Sequence, residues 1–247
     1  MNTVPKYLIL GDGGVAQHAC HYLTQLQIPW THWCRRTHSR HQLIQLIKRA
    51  SHVLILVSDH AIESLASFVL AQNTTTGSSP ILIHFSGALQ SPYAIGAHPL
   101  QTFKPNVTYR LDEYQAIPFI IDTDAPSFSS LLPCLPNPHH RILAQDRAYY
   151  HALCSLANNV TALLWQQVHH RLRDRFNIQL TDLKPILART FQHIADNPDQ
   201  AITGPWVRGD TDTLKRNQAA LNGDALQGIW SAVHQFYQNK DRNEPPL

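Results

Sequence analysis

Short apolar runs alternate with amphipathic stretches through the first half of the chain. Tyr7–Leu10 is a four-residue apolar run that leads into a glycine-rich turn and a helix to about Leu26. A strand follows around Trp30–Trp33, then a helix from Ser39, a good N-cap, through Leu43, Ile44, Leu46 and Ile47. Val53–Val57 is continuously apolar and partly β-branched, the pattern of a central parallel strand covered on both faces. Asp59 is placed to cap a helix over Ala61–Leu70. The polar stretch Asn73–Ser79 predicts a loop, Ile81–Phe85 another buried strand, and Tyr93–His98 the next. Phe119–Ile121 and Arg141–Leu143 complete the sheet, with Pro133–Pro138 as a surface connection.

From Asp146 the strand signals vanish. Helical periodicity runs through Trp165, again over Thr181–Ala195, and over about the last 35 residues, up to a frayed Asn243–Leu247. The pattern predicts an α/β chain: a Rossmann-like doubly wound parallel sheet over residues 1–145, followed by an all-α domain over 146–247. On the first helix of that second half, Tyr149, Leu153, Leu156, Val160, Leu163 and Leu164 form a stripe expected to pack into the helical core. His151, Ser155 and Asn158 fall on the opposite face.

Composition narrows the function. With 43% hydrophobic and 15% charged residues in 247, the balance is that of a globular chain. A formal charge of +3 without a long Lys/Arg run offers no basic stripe, so a nucleic-acid partner is not expected despite a pI near 8.7. Cys20, Cys34, Cys134 and Cys154 are scattered without C-x-x-C spacing, and nothing before the first strand reads as a signal peptide, which points to the cytoplasm. No apolar run approaches the roughly 20 residues that cross a bilayer, so no membrane partner is expected. Among the 16 histidines, His18-Ala-Cys20-His21 and His32-Trp-Cys34 invite a metal, but neither completes a ligand set at zinc spacing and no metal is expected.

Gly11-Asp12-Gly13-Gly14-Val15-Ala16 is a G-x-G-x-x-A turn between a strand and a helix. Its first glycine permits the turn, the second lets backbone approach a pyrophosphate, and Ala16 allows close helix packing; such a turn can also be purely structural. The phosphates would meet the helix amino end. Arg35 and Arg36 stand where an NAD-binding chain commonly carries an acid, and arginine there suits the 2′-phosphate of NADP(H). Ligands of such folds lie beyond the strand ends, where this chain carries Val57, Ser58 and Asp59, then His84, Ser86 and Gly87, then His98. His98 is the candidate acid, since imidazole titrates near neutral pH, although a histidine before Pro99 can also merely shape a turn. His151 and Asn158 could bind substrate oxygens. Arg208 could clamp a carboxylate or pair internally with Asp210.

Taken together, Gly11–Ala16, His84-Phe-Ser86-Gly87-Ala88-Leu89, His98-Pro-Leu-Gln-Thr-Phe103, Tyr150-His151 with Asn158, and Thr203-Gly-Pro-x-x-Arg208-Gly-Asp210 resemble a family of Rossmann-like proteins with a helical carboxy-terminal domain. That family is related to the 6-phosphogluconate dehydrogenase superfamily and includes alternative ketopantoate reductases of the PanG type. The resemblance implies NADPH-dependent reduction of 2-dehydropantoate (ketopantoate) to pantoate in pantothenate biosynthesis. It also implies a homodimer made largely by the helical domain. Ordinary ketopantoate reductases carry lysine and asparagine on the first helix of that domain, whereas this chain has Arg147, His151 and Asn158. The His98-Pro99 step also resembles prephenate dehydrogenases, whose histidine contacts the substrate hydroxyl, so oxidation of a hydroxyl is an alternative. A non-catalytic NADP(H) sensor is another.

Overall fold

The computed structural model describes residues 4–72 and 79–239. Seven strands form one sheet: β1 (Tyr7–Leu10), β2 (Trp30–Trp33), β3 (His52–Ile55), β4 (Ile81–His84), β5 (Ile95–Pro99), β6 (Phe119–Asp122) and β7 (His139–Ile142), in the spatial order 2-1-3-4-5-6-7. The fold is the expected Rossmann-like one, with one departure. β1 to β5 are parallel, but β6 runs antiparallel to β5 and β7 follows β6, so the sheet is mixed. The expected loop over 73–79, apart from Ser79, and the expected frayed end at 243–247 lie outside the described residues.

The two faces of the sheet follow from side-chain alternation along the strands. Tyr7, Ile9, Leu54 and Ile83 face one core, with Ala16 and Leu23 of α1 (Gly14–Gln25). Leu8, Leu10, Val53, Ile55 and Leu82 face the other. That second core takes Leu43 and Ile47 of α2 (Arg40–Ile47) and Ile62, Ala66 and Val69 of α3 (Asp59–Ala71). β1 and β3 are buried along their whole length, which is why they read as unbroken apolar runs. Ser39 caps α2 as expected, in a capping box: its hydroxyl accepts from the Gln42 N–H at 3.2 Å, and the Gln42 side chain accepts from the Ser39 N–H at 2.7 Å.

Short helices α4 (Leu111–Ala116) and α5 (Phe128–Leu131) flank β6. His18, on α1, uses both ring nitrogens structurally, one on the Tyr114 hydroxyl at 2.8 Å and the other on the Lys104 carbonyl at 3.1 Å. After β7 come α6 (Arg147–Ser155), a π-helical turn at Leu156–Val160 and α7 (Thr161–Phe176).

The chain divides into units of residues 1–165 and 166–247. The change from strands to helices near residue 145 therefore does not coincide with the division, and α6 belongs to the first unit. The second unit contains α8 (Leu180–Asp196), α9 (Pro205–Arg208), α10 (Thr211–Ala220) and α11 (Leu226–Asn239). In that unit the Trp206 ring meets Trp230 and Tyr237, each at 5.2 Å, and Arg171 pairs with Asp224 at 2.7 Å. Among the described residues, no helix is long and apolar enough to cross a membrane, and no three His, Cys, Asp or Glu side chains gather to hold a metal.

Candidate active site

Strand order reverses at β1, whose neighbours β2 and β3 follow it along the chain but lie on opposite sides. A crevice opens beyond the carboxyl ends at such a point. Here it is a cleft of about 920 Å³ running from Gly11–Val15 past Val57, Ser58 and Asp59 to Ser86, Gly87, His98 and His151.

The glycines at its mouth have different reasons. Gly11 has φ +130°, and a Cβ there would lie 2.0 Å from the Leu56 carbonyl oxygen, so only glycine fits. A Cβ on Gly13 would meet nothing within 4 Å, which leaves the entrance to α1 open to a ligand. Gly14 answers to packing instead, since a Cβ would sit 2.6 Å from the Phe103 carbonyl oxygen. The first turn of α1 holds no acidic residue and no side-chain cap, so its N–H groups suit a diphosphate. These features fit a dinucleotide.

The two arginines after β2 part company. Arg35 lines the cleft, whereas Arg36 turns to Asp12 at 2.6 Å and lines a separate depression. Arg36 is thus not a cleft residue. Two unforeseen residues join Arg35 there: His38, and Arg40, whose guanidinium lies 4.2 Å over the Phe68 ring. The signal for Arg40 was its place in the first turn of α2, directly after the Ser39 cap.

At the strand tips Asp59 does not cap α3. Ser58 occupies the cap position without a side-chain bond, and the Asp59 carboxylate accepts from the Ser86 hydroxyl at 2.8 Å. Ser86 Oγ in turn accepts from the N–H groups of Ala88 and Leu89 at 3.3 and 3.1 Å. His84, expected to touch cofactor, instead lies below the tips, 1% exposed and outside the cleft lining. Burial, aided by the Arg147 charge, lowers its pKa to about 4.

Register carries His98 into the cleft. His84 pairs with Gly96, so His98, two residues on, stands level with Ser86. Its Nδ1 is hydrogen-bonded to the Tyr150 hydroxyl at 2.8 Å. Burial and then the nearby charges of His151 and Arg147 bring its pKa down to about 4, against a smaller opposing pull from Asp59. The expected acid titrating near neutrality is therefore corrected: His98 is a neutral imidazole at pH 7.

α6 presents Arg147, Tyr150, His151 and Cys154 at i, i+3, i+4 and i+7, one helical face. Arg147 is wholly buried; its Nε reaches Asp122 at 2.5 Å, and Nη2 donates to the Gly96 carbonyl at 2.8 Å. A Cβ on Gly96 would lie 2.4 Å from that guanidinium, and a Cβ on Gly87 would lie 2.4 Å from His151 Nδ1. Both glycines make room for this helix.

Asn158 is exposed in the π-helical turn, outside the cleft lining, and donates to Asn159. The stripe from Tyr149 to Leu164 is exposed rather than packed into a core, Tyr149 by 71% and Leu156 by 57%. Arg208 is exposed in the last turn of α9, in the second unit, and Asp210 caps α10 by accepting from the Thr213 N–H at 3.0 Å.

Residues 117–237 match the sequence family described as "Domain of unknown function (DUF2520)". No curated protein sequence matches significantly. The chain is similar in fold to a Bacteroides fragilis protein provisionally described as an NADP oxidoreductase (18% identity, TM-score 0.71, 94% of this chain and 97% of that one). A reductive aminase from Aspergillus terreus in complex with NADPH is also similar (14%, TM-score 0.56, 97% and 94%). So is a Plasmodium falciparum pyrroline carboxylate reductase with NADP bound (10%, TM-score 0.57, 94% and 98%). At these identities the likeness is one of fold.

Proposed function

We propose that the protein is an NADP(H)-dependent reductase of a small carbonyl compound, a 2-keto acid, with ketopantoate the leading candidate. The carrying observation is the single cleft that joins an open, glycine-lined helix entrance to Ser86, His98 and His151. The Gly11–Val15 turn would hold the diphosphate, and Arg35, with His38 and Arg40 beside it, the 2′-phosphate end. When bound, the reduced nicotinamide supplies a hydride. His98, neutral and partly withdrawn from water, would polarise the substrate oxygen by hydrogen bonding instead of as an imidazolium. Asp59 holds Ser86, and Arg147 keeps positive charge close to where an oxyanion would form. The exposed stripe on α6 and α7 supports a homodimer.

The test is oxidation of NADPH by purified protein against a panel containing ketopantoate, other 2-keto acids and cyclic imines. Turnover of ketopantoate at a useful rate supports the full reading. Tight NADPH binding with no turnover across the panel would favour a sensor.

A further inference from the structure

Neutral imidazole exists in two tautomers, and only the one bearing hydrogen on the nitrogen that faces the cleft can donate to a substrate oxygen. His98 has Nδ1 engaged by the Tyr150 hydroxyl at 2.8 Å, which leaves Nε2 as the nitrogen available to the cleft. The geometry points to Tyr150 as a positioning residue that fixes His98 in the Nε2–H tautomer, making it a permanent hydrogen-bond donor into the cleft.

Two observations carry this. First, a phenol is a stronger acid than a neutral imidazole N–H, so the O–H···N arrangement, with Tyr150 donating, is the favoured one. The two rings meet edge to face, centroids 5.6 Å apart at 77°, so the hydroxyl approaches the ring edge where Nδ1 lies.

Second, the helix cannot shift its register easily. Arg147, three residues before Tyr150, is wholly buried and tied to Asp122 and to the Gly96 carbonyl on the strand that carries His98. The remaining groups around His98 are His151, whose ring meets it edge to face at 5.5 Å, and the Asp59 carboxylate, which acts on it through its charge. Neither occupies Nδ1.

The assignment of a substrate oxygen as recipient rests on the proposed reductase reading; the tautomer does not. Nitrogen-15 NMR of labelled protein, with His98 assigned by its loss in His98→Gln, reads the tautomer without substrate. Wild-type protein is expected to show Nε2 protonated and Nδ1 bare. Tyr150→Phe should move His98 to a mixture containing the Nδ1–H form, with NADPH affinity kept within about twofold. Should Tyr150→Phe fail to fold, the wild-type spectrum alone decides, since the Nε2–H form is required there. Wild-type His98 carrying its proton on Nδ1, or an unchanged tautomer in folded Tyr150→Phe, overturns the proposal. If a substrate is turned over, Tyr150→Phe should lower kcat by about tenfold with KM little changed. A tautomer shift without any loss of kcat would overturn the donor role. Failure to find a substrate would count against the reductase reading alone, because the nitrogen-15 spectrum decides the tautomer independently of turnover.

Discussion

Arg147 Nε lies 2.5 Å from Asp122 Oδ1, and the guanidinium is completely enclosed while the carboxylate keeps a little exposure. This pair joins α6 to β6, and the same arginine bonds the Gly96 carbonyl on β5. Removing Asp122 leaves a cation without its counter-charge in the interior. Asp122→Ala should therefore cost roughly 3–5 kcal/mol. Urea unfolding would measure it, and an unchanged midpoint would show that water reaches the guanidinium.

The glycine turn gives a contrast between neighbours. Gly13 has ordinary φ of −72° and open space, so Gly13→Ala should keep its unfolding midpoint while NADPH affinity falls tenfold or more, by order of magnitude. Gly11→Ala should be destabilised outright, because its backbone conformation and the Leu56 carbonyl both oppose a side chain. Calorimetric titration with NADPH beside thermal melts separates the two. Undiminished affinity in Gly13→Ala would place the diphosphate elsewhere.

Arg35 and Arg36 should differ in the same way. Arg35→Ala is expected to weaken NADPH by about tenfold and NADH much less, since a guanidinium facing a 2′-phosphate matters only when that phosphate exists. Arg36→Ala should change either affinity little, because Arg36 is held by Asp12. Equal losses for both cofactors in Arg35→Ala would remove it from the 2′-phosphate site.

Acid should destabilise the fold through two histidines. His84 and His98 have folded-state pKa values lowered from 6.5 to about 4, so the unfolded chain binds more protons between those values. Their contribution is complete above about pH 6.5 and is lost as pH falls toward about 4. Urea midpoints recorded from pH 8 downward should show the decline, with a shallower slope in His84→Gln. A flat profile would mean both rings stay solvated.

The exposed stripe yields a hydrodynamic prediction. Leu156→Glu with Leu163→Glu places charge on residues 57% and 55% exposed, where a monomer bears it at little cost. Sedimentation should show a dimer for the natural chain and a monomer for the double variant. A monomeric natural chain would end the dimer proposal.

Much of the sheet could be read from pattern alone because β1 and β3 are buried on both faces, and burial leaves an unbroken apolar run. The reversal of β6 could not, since apolar residues record burial and not direction. The glycine turn was legible for Gly11 and Gly13, whereas the purpose of Gly14 depends on the Phe103 carbonyl, remote in sequence. His98 was found from its place after an apolar run, but its protonation depends on neighbours brought by folding: His151, Arg147 and Asp59. The role of Tyr150 was not legible because the apolar stripe beginning at Tyr149 suggested the wrong inward face of α6. The face that packs against the strands is the polar one, and only a buried ion pair with Asp122 makes that arrangement tenable.

Gly87 and Gly96 leave two notches into which an imidazole and a guanidinium descend. A methyl group added at either notch would lift α6 away from the strands, and the disturbance would travel along a rigid lever to Tyr150 and His98. Chemistry in this protein is thus exposed to damage from two positions that carry no functional group at all.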